Sequence, residues 1–266
     1  MHSSFARLSS IFLSFLLLLV TATACVSPPF PAGKSGALAP QVSPAAEVAA
    51  LKERSDFWRN FQCKLRINVN GKTARFSSPA IVLVKSPNLL RFETFTPIGM
   101  TAALFVSNQS GPSLLIPSQE TVYTAKRPET LVREFLGGVN LPVDVFSHLL
   151  SGSIPPQMFK NIESRSQGGL LRLISRSPGG YFEWQVASGA LASVFIGTAQ
   201  FEGRVSYDPP VRLAGESVPE TIRISSKDWR MEVRVEQMRP AAQFQPGVFH
   251  LPELPGVRRV ELDSTK

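Results

Sequence analysis

From Cys63 onward, apolar and polar residues alternate along much of the chain. The clearest stretch is Trp229–Val235, where every second residue is apolar and the residues between them are charged. Because successive side chains of a β-strand point to opposite faces of a sheet, this pattern predicts strands with one buried and one solvated face. Gly, Pro, Asn and Asp separate the alternating runs at intervals typical of hairpins. The pattern predicts about eleven antiparallel strands.

Three segments carry helical spacing instead. Residues Ala45–Phe61 place apolar side chains near one face with no Gly or Pro between them, which predicts a first helix. Pro128 precedes a second stripe that ends at Gly137, and Leu141-Pro142 introduces a third that ends at Gly152. The predicted fold is mainly β: a single curled antiparallel sheet, forming a half-open barrel, lidded by three short helices. Whether the interior is packed solid or holds a cavity stays open.

One predicted turn is unusually apolar. Pro97 cannot donate to a strand ladder and Gly99 tolerates a positive φ, so Thr96–Gly99 is predicted to be a turn between two strands. Turns lie at the surface and are usually polar, yet this one carries Ile98 and is followed by Met100. Either the tip folds back onto the core, or it contacts something apolar outside the protein.

The N-terminus is typical of an exported protein. Met1–Ala24 has a short basic start and an apolar run of signal-peptide length, which is shorter than a membrane span. The small residues before Cys25 resemble the bacterial lipobox, which predicts a lipid anchor at Cys25; ordinary signal cleavage after Ala24 is the alternative. Residues 25–44 are rich in Pro, Gly, Ala and Ser and are predicted to form a tether. The domain is expected to span residues 45–266.

Charge and chemistry narrow the classes of function. The formal net charge is +8, but the basic residues are scattered along strands, which argues against nucleic-acid binding. If Cys25 is acylated, Cys63 stays unpaired; a disulfide between them is the alternative. No metal-ligand or nucleophile motif surrounds His148 or His250, so we expect no enzyme activity, no metal and no cofactor.

An ordered set of short motifs lies in residues 89–155. In chain order these are Pro97-Ile98-Gly99 at the end of a strand, Tyr123-Thr124-Ala125, a helix ending at Gly137, Leu141-Pro142, and a helix ending in Leu149-Leu150-Ser151-Gly152. In this order, downstream of the cysteine motif, the segment resembles the family of outer-membrane lipoprotein receptors, LolB, within the broader LolA/LolB-like fold.

The resemblance implies a receptor in a lipoprotein relay. Such a receptor accepts the acyl chains of a lipoprotein from a periplasmic carrier into an apolar cavity and inserts the lipoprotein into the outer membrane. It would be anchored in that membrane through Cys25, face the periplasm and act as a monomer. Pro97, Ile98, Gly99 and Met100 would form the membrane-inserting loop. The residues expected to face inward and line the cavity are Leu65, Ile67, Phe92, Leu104, Phe182, Trp184, Met231 and Val233.

Three alternatives stay open from the sequence. For each inward-facing residue, ordinary core packing explains burial as well as a cavity does. The tail from Phe249 extends beyond the family's usual end, which is compatible with a divergent paralogue that binds another lipid or client. A structural lipoprotein that braces an envelope assembly would need no cavity. A solid interior with the Ile98 side chain buried beneath its neighbours would contradict the receptor interpretation.

Overall fold

The computed structural model of the chain describes residues 43–71, 75–135, 141–167, 170–177, 180–199, 201–213, 215–241 and 243–262. The predicted signal peptide, Cys25 and nearly all of the predicted tether lie outside the described residues, as does Gly137. Within the described part of the chain, no helix has both the length and the apolarity needed to cross a bilayer.

The first helix, α1 (Pro44–Phe57), leads into the first strand, β1 (Asn60–Gly71). Ser43 caps the helix, because its hydroxyl accepts a hydrogen bond from the Ala46 N–H at 3.2 Å. Our prediction that this helix continues to Phe61 is wrong. The Phe61 side chain is the first of the alternating buried positions of β1, so it continues the strand pattern and not the helical stripe.

The body of the protein is one large sheet. The strands after β1 are β2 (Arg75–Lys85), β3 (Leu89–Phe95), β4 (Thr101–Asn108), β5 (Gly111–Ile116), β6 (Thr121–Thr124), β7 (Ile162–Gln167), β8 (Leu170–Ser177), β9 (Gly180–Ala187), β10 (Ala190–Gly197), β11 (Glu202–Tyr207), β12 (Pro210–Leu213), β13 (Glu216–Pro219), β14 (Thr221–Ser226), β15 (Trp229–Pro240) and β16 (Arg258–Glu261). Among the described residues, the sheet has 14 strands in the order β16-β6-β5-β4-β3-β2-β1-β15-β14-β11-β10-β9-β8-β7, while β12 and β13 form a separate hairpin.

The sheet is curled and open, as predicted, since its end strands β16 and β7 are not paired with each other. Neighbouring strands run antiparallel, except that β16 lies parallel to β6. The predicted number of about eleven strands is too low. The pattern missed β7 and β16, which are short, mainly polar and located at the sheet edges, where backbone pairing and not hydrophobic alternation defines the strand. It also missed β12 and β13, of four residues each.

The inner face of the sheet is apolar and packs against three helices, α1 together with α2 (Pro128–Phe135) and α3 (Val143–Ser151). Burial in β1 and β15 follows the predicted period of two. Helix α3 ends where the sequence predicts, at Gly152, which adopts the left-handed φ of 61° that glycine tolerates without strain. The helices therefore cover one side of the curled sheet, as expected for a lid.

A second buried cluster lies on the opposite, outer face of the sheet, across β4, β5 and β6. Its members are Leu104, Val106, Leu115 and Val122. Leu251 and Val257 of the C-terminal segment pack against them. Leu104 therefore does not face the interior as we predicted: it lies on the outer face, and its burial comes from the C-terminal segment.

Side chains of β3 and β4 hold this C-terminal segment in place. Arg91 donates from Nη1 to the Val248 carbonyl at 3.2 Å, and Asn108 donates from Nδ2 to the Phe249 carbonyl at 2.8 Å. Strand β16 then pairs with β6 at the edge of the sheet. The tail that the sequence marked as irregular thus covers part of the outer face and one sheet edge.

Arg54 connects α1 to two other elements. Its Nε donates to the Gly152 carbonyl at 3.1 Å, and its Nη2 donates to the carbonyls of Ser151 at 2.9 Å and Ser217 at 2.8 Å. Two of these carbonyls belong to the end of α3, where an α-helix leaves carbonyl groups without intrahelical partners. One guanidinium group therefore ties α1 to α3 and to the β12–β13 hairpin.

We expect Arg54→Ala to lower the free energy of unfolding by about 2–3 kcal/mol, because two partly buried carbonyls and one exposed carbonyl lose a charged donor. Arg54→Lys, which keeps the charge and part of the donor capacity, should lose less. Lys52→Ala on the exposed side of the same helix is the matched control and should change stability by less than about 0.5 kcal/mol. Urea unfolding followed by circular dichroism measures all three; an Arg54→Ala midpoint equal to that of Lys52→Ala would contradict the assignment.

Candidate functional site

A cavity of about 440 Å³ lies between the inner face of the sheet at β2–β5 and the helices α2 and α3. Its lining contains no charged side chain, and all but four of its residues are apolar; the four are hydroxyl residues. The lining residues are Phe76, Ser77, Ser78, Leu90, Phe92, Thr94, Phe95, Thr96, Pro97, Ala102, Ala103, Phe105, Leu114, Ile116, Leu131, Val132, Leu141, Val143, Phe146 and Met231. The volume falls within the range of about 300–1,000 Å³ that is common for small-molecule sites.

Small side chains on β4 leave this space open. Ala103 pairs across the sheet with Thr94, so two small residues face each other where two large ones would meet and close the gap. Farther along the same two strands, Phe92 pairs with Phe105 and packs edge-on against Phe146 of α3, with ring centroids 6.3 Å apart. The aromatic side chains thus form one wall of the cavity, and the small residues provide its volume.

The turn between β3 and β4 is held by its own hydrogen bonds. The Thr96 N–H donates to the Met100 carbonyl at 2.8 Å, and the Gly99 N–H donates to the Thr96 carbonyl at 2.9 Å. Gly99 has a φ of +84°, the positive value that the sequence predicted for it. The Ile98 side chain is 79% exposed and that of Met100 is 60% exposed. Of the two possibilities left open by the sequence, the structure therefore has the tip facing outward.

The base of this turn is fixed to β2 by a side chain. Pro79 has no N–H to donate to the neighbouring strand, so the ladder between β2 and β3 lacks a donor at this point. The Ser78 hydroxyl replaces it: it donates to the Phe95 carbonyl at 2.8 Å and accepts from the Phe95 N–H at 3.1 Å. Because Phe95 and Pro97 also line the cavity, the cavity wall continues directly into the exposed turn.

The eight residues predicted to line the cavity fall into three groups. Phe92 and Met231 line the cavity, as does Pro97 at the base of the turn. Leu65, Ile67, Phe182, Trp184 and Val233 are buried in the same inner core but do not reach the cavity. Leu104 lies on the outer face, as described above.

Sequence reasoning missed several lining residues, among them Ala103, Phe105 and Phe146. Phe146 belongs to the helical stripe that predicted α3, so its position on the lid was within reach of the pattern. The two β4 residues were missed because Ala102–Val106 is apolar on both faces, which leaves the inward phase of the strand ambiguous.

His148 lies on α3 but is buried away from the cavity. Its Nδ1 is 2.8 Å from the Ser153 hydroxyl, which in turn is 2.6 Å from the Ser151 hydroxyl. Burial lowers the pKa of His148 to about 4, and the nearby Arg59 acts in the same direction. His148 is therefore neutral at pH 7 and serves as a hydrogen-bonded member of the core.

Sequence comparison and structure comparison give different results for this chain. No protein-family model matches it, and no curated protein is similar in sequence at a significant level. Solved structures do share its fold, and the three described below are each less than 15% identical to it.

Three of these structures are similar over most of their length. A DUF1329 family protein from Desulfovibrio piger has a TM-score of 0.53 and 8% identity, covering 78% of this chain and 98% of its own. A domain described as an outer membrane lipoprotein-sorting protein, from Vibrio parahaemolyticus, has a TM-score of 0.51 and 12% identity, covering 77% and 94%. A LolA superfamily protein from Nitrosomonas europaea has a TM-score of 0.51 and 11% identity, covering 78% and 97%. The chain therefore shares its fold with LolA superfamily and lipoprotein-sorting structures.

The neutral state of His148 predicts a pH dependence of stability. The unfolded chain binds a proton near the ordinary pKa of 6.5 and the folded chain only near pH 4, so the free energy of unfolding should fall as the pH drops between these values. By pH 4 the loss attributable to this side chain should be on the order of 3 kcal/mol. Urea unfolding at pH 7 and pH 4.5 should show a smaller difference for His148→Gln than for the parent chain.

Carboxylates also titrate in this range and change the stability of both proteins. The prediction is therefore tested by the difference between the parent and His148→Gln, and not by the parent alone. If His148→Gln folds poorly, an NMR titration of the His148 ring in the parent chain provides the same information. A ring that titrates near pH 6.5 would contradict the prediction.

Proposed function

We propose that this protein is a lipoprotein receptor of the LolB type, which binds the acyl chains of lipoproteins in the cavity and inserts them into the outer membrane. Cys25 would carry the lipid anchor that holds the protein to that membrane, facing the periplasm. A periplasmic carrier of the LolA type would deliver the client to the monomeric receptor. The single observation that carries the proposal is that an uncharged, apolar cavity opens beside an exposed apolar turn.

The lining of the cavity suits acyl chains. Each methylene group moved from water into an apolar site gains about 0.8 kcal/mol, so an acyl chain crossing an aqueous compartment needs such an enclosure. An ionised carboxylate in the cavity would lack a cationic partner, because no charged residue lines it. The proposed ligand is therefore an acyl chain linked through an ester or amide, as in a lipoprotein, and no covalent chemistry is required of the protein.

The exposed turn suits contact with a bilayer. Ile98 and Met100 present apolar side chains to water, a cost that disappears when they enter the hydrocarbon region of a membrane. Since Pro97 both belongs to the turn and lines the cavity, a chain leaving the cavity along this wall would emerge beside the inserted tip. The similarity of the fold to lipoprotein-sorting structures supports the same proposal.

Filling the cavity should weaken ligand binding without unfolding the protein. Ala103→Phe places an aromatic ring in the open space and should weaken uptake of a fluorescent acyl ester by about tenfold or more, the equivalent of two lost methylene contacts. Fluorescence titration of the purified protein carrying Cys25→Ala measures the affinity. Ala187→Phe, on β9 and outside the cavity lining, is the matched control and should bind like the parent.

The outcome also separates the proposal from a structural brace, which would need no ligand. A well-folded parent protein that takes up no acyl ester, or an Ala103→Phe variant that binds as tightly as the parent, would contradict the proposed function.

Ile98→Glu should separate binding from release. The side chain is exposed, so the substitution should change the free energy of unfolding by less than about 0.5 kcal/mol and leave acyl-ester binding intact. Transfer of a bound lipoprotein to vesicles should nevertheless slow by tenfold or more, by rough estimate, because a charge replaces an apolar side chain at the membrane contact. Gln109→Glu adds the same charge at another exposed turn and is the control.

A transfer rate that falls equally in Ile98→Glu and Gln109→Glu would assign the effect to net charge. A transfer rate that is unchanged in both variants would show that Ile98 takes no part in release to the membrane.

A further inference from the structure

A row of arginines crosses the outer face of the sheet. Strand pairing places Arg75 of β2 opposite Asn70 of β1, Asn70 opposite Arg230 of β15, Arg230 opposite Ser225 of β14, and Ser225 opposite Arg204 of β11. The three arginines thus alternate with two short polar residues in one lateral row. Since neighbouring strands lie about 4.8 Å apart, successive arginine backbones are separated by about 10 Å.

The row differs from its neighbours in having no acidic partners. Two other arginines of this face, on β14 and β15, are paired: Arg223 with Asp208 and Glu232, and Arg234 with Glu220. In the described part of the chain, no carboxylate forms an ion pair with Arg75, Arg204 or Arg230, and all three are exposed.

Short polar neighbours leave the guanidinium groups accessible. Arg75 hydrogen-bonds through Nε and Nη2 to the Asn70 side-chain oxygen, at 3.3 and 3.2 Å. The Ser225 hydroxyl bonds to the backbone carbonyl of Arg204 and not to its side chain. The guanidinium groups therefore keep donors free for an anion.

The row lies at the same end of the sheet as the exposed turn. Arg75 is the first residue of β2, Arg230 is the second residue of β15, and Arg204 is the third of β11. The turn that carries Ile98 joins β3 to β4 at this end too, since Phe95 is tied to Ser78 only three residues beyond Arg75. An approach of the tip to a surface therefore brings the row close to the same surface.

We propose that Arg75, Arg204 and Arg230 bind the phosphate groups of anionic lipids when this end of the sheet meets a bilayer. The planar guanidinium group bonds phosphate through two parallel donors, and separated cations match separate headgroups better than one compact anion. The proposal rests on the proposed function only for the orientation of the tip toward the membrane. An acidic protein is the competing occupant, and the location beside the apolar tip favours the lipid surface.

The test uses vesicles without any client or acyl ligand, so its failure is distinguishable from a failure of acyl binding. Exported protein carrying Cys25→Ala is measured by co-sedimentation with vesicles of equal parts phosphatidylglycerol and phosphatidylcholine. Replacing all three arginines of the row by glutamine should weaken partitioning about a hundredfold, while raising the salt from about 0.05 to about 0.5 M should weaken the parent similarly. Vesicles of phosphatidylcholine alone should not distinguish the variant from the parent.

The matched control replaces Arg165, Arg212 and Arg259 by glutamine, which removes the same charge from other exposed positions. It should keep most of the affinity for anionic vesicles. If both triple variants bind anionic vesicles equally weakly, the loss of affinity comes from the change in net charge, and the proposal is overturned. A row variant that binds anionic vesicles as well as the control does would also overturn it and leave an acidic protein as the occupant to test.

Discussion

The inner apolar face of a large curled sheet has to be kept from water. Among the described elements, three short helices cover much of it, together with apolar residues of the β12–β13 hairpin and of the segment that follows α3. Over part of this face, large side chains such as Trp58, Phe61 and Trp184 are almost completely buried. Under α2 and α3, small residues such as Ala103 leave a cavity of about 440 Å³. The same hydrophobic requirement therefore produces a packed region and a hollow one in a single core.

The path of the chain at β3 and β4 links this hollow region to the surface. Pro79 lacks a ladder donor, and the Ser78 hydroxyl donates to the Phe95 carbonyl in its place and accepts from the Phe95 N–H. The turn beyond Phe95 is therefore anchored at its base, while the Ile98 and Met100 side chains at its tip stay exposed. This arrangement suits the proposed membrane contact. Because the base of the turn is part of the cavity wall, the exposed tip keeps a fixed position relative to the cavity.

Much of the fold follows from the sequence, because one physical rule governs most of it. Period-two alternation identified β1 and β15, and helical spacing with Pro128 and Gly152 identified α2 and α3. The pattern failed where burial is decided by a distant segment. Leu104 is buried by residues about 150 positions later, which no local pattern contains. The cavity could not be predicted from the sequence either. Phe92 lines it and Leu65 does not, yet both lie in strands with the same alternation of apolar and polar residues.

The C-terminal segment has a further consequence for how the chain folds. Asn108 bonds to Phe249 across 141 residues, and Arg91 to Val248 across 157. The outer cluster and the β6 edge consequently cannot be covered until synthesis has passed residues 248–261, and such distant contacts slow folding. A product truncated before Val248 would expose the apolar outer cluster next to the unpaired edge of β6, and this combination promotes aggregation. Residues 248–261 therefore protect both the apolar cluster and the strand edge, and a copy without them exposes both.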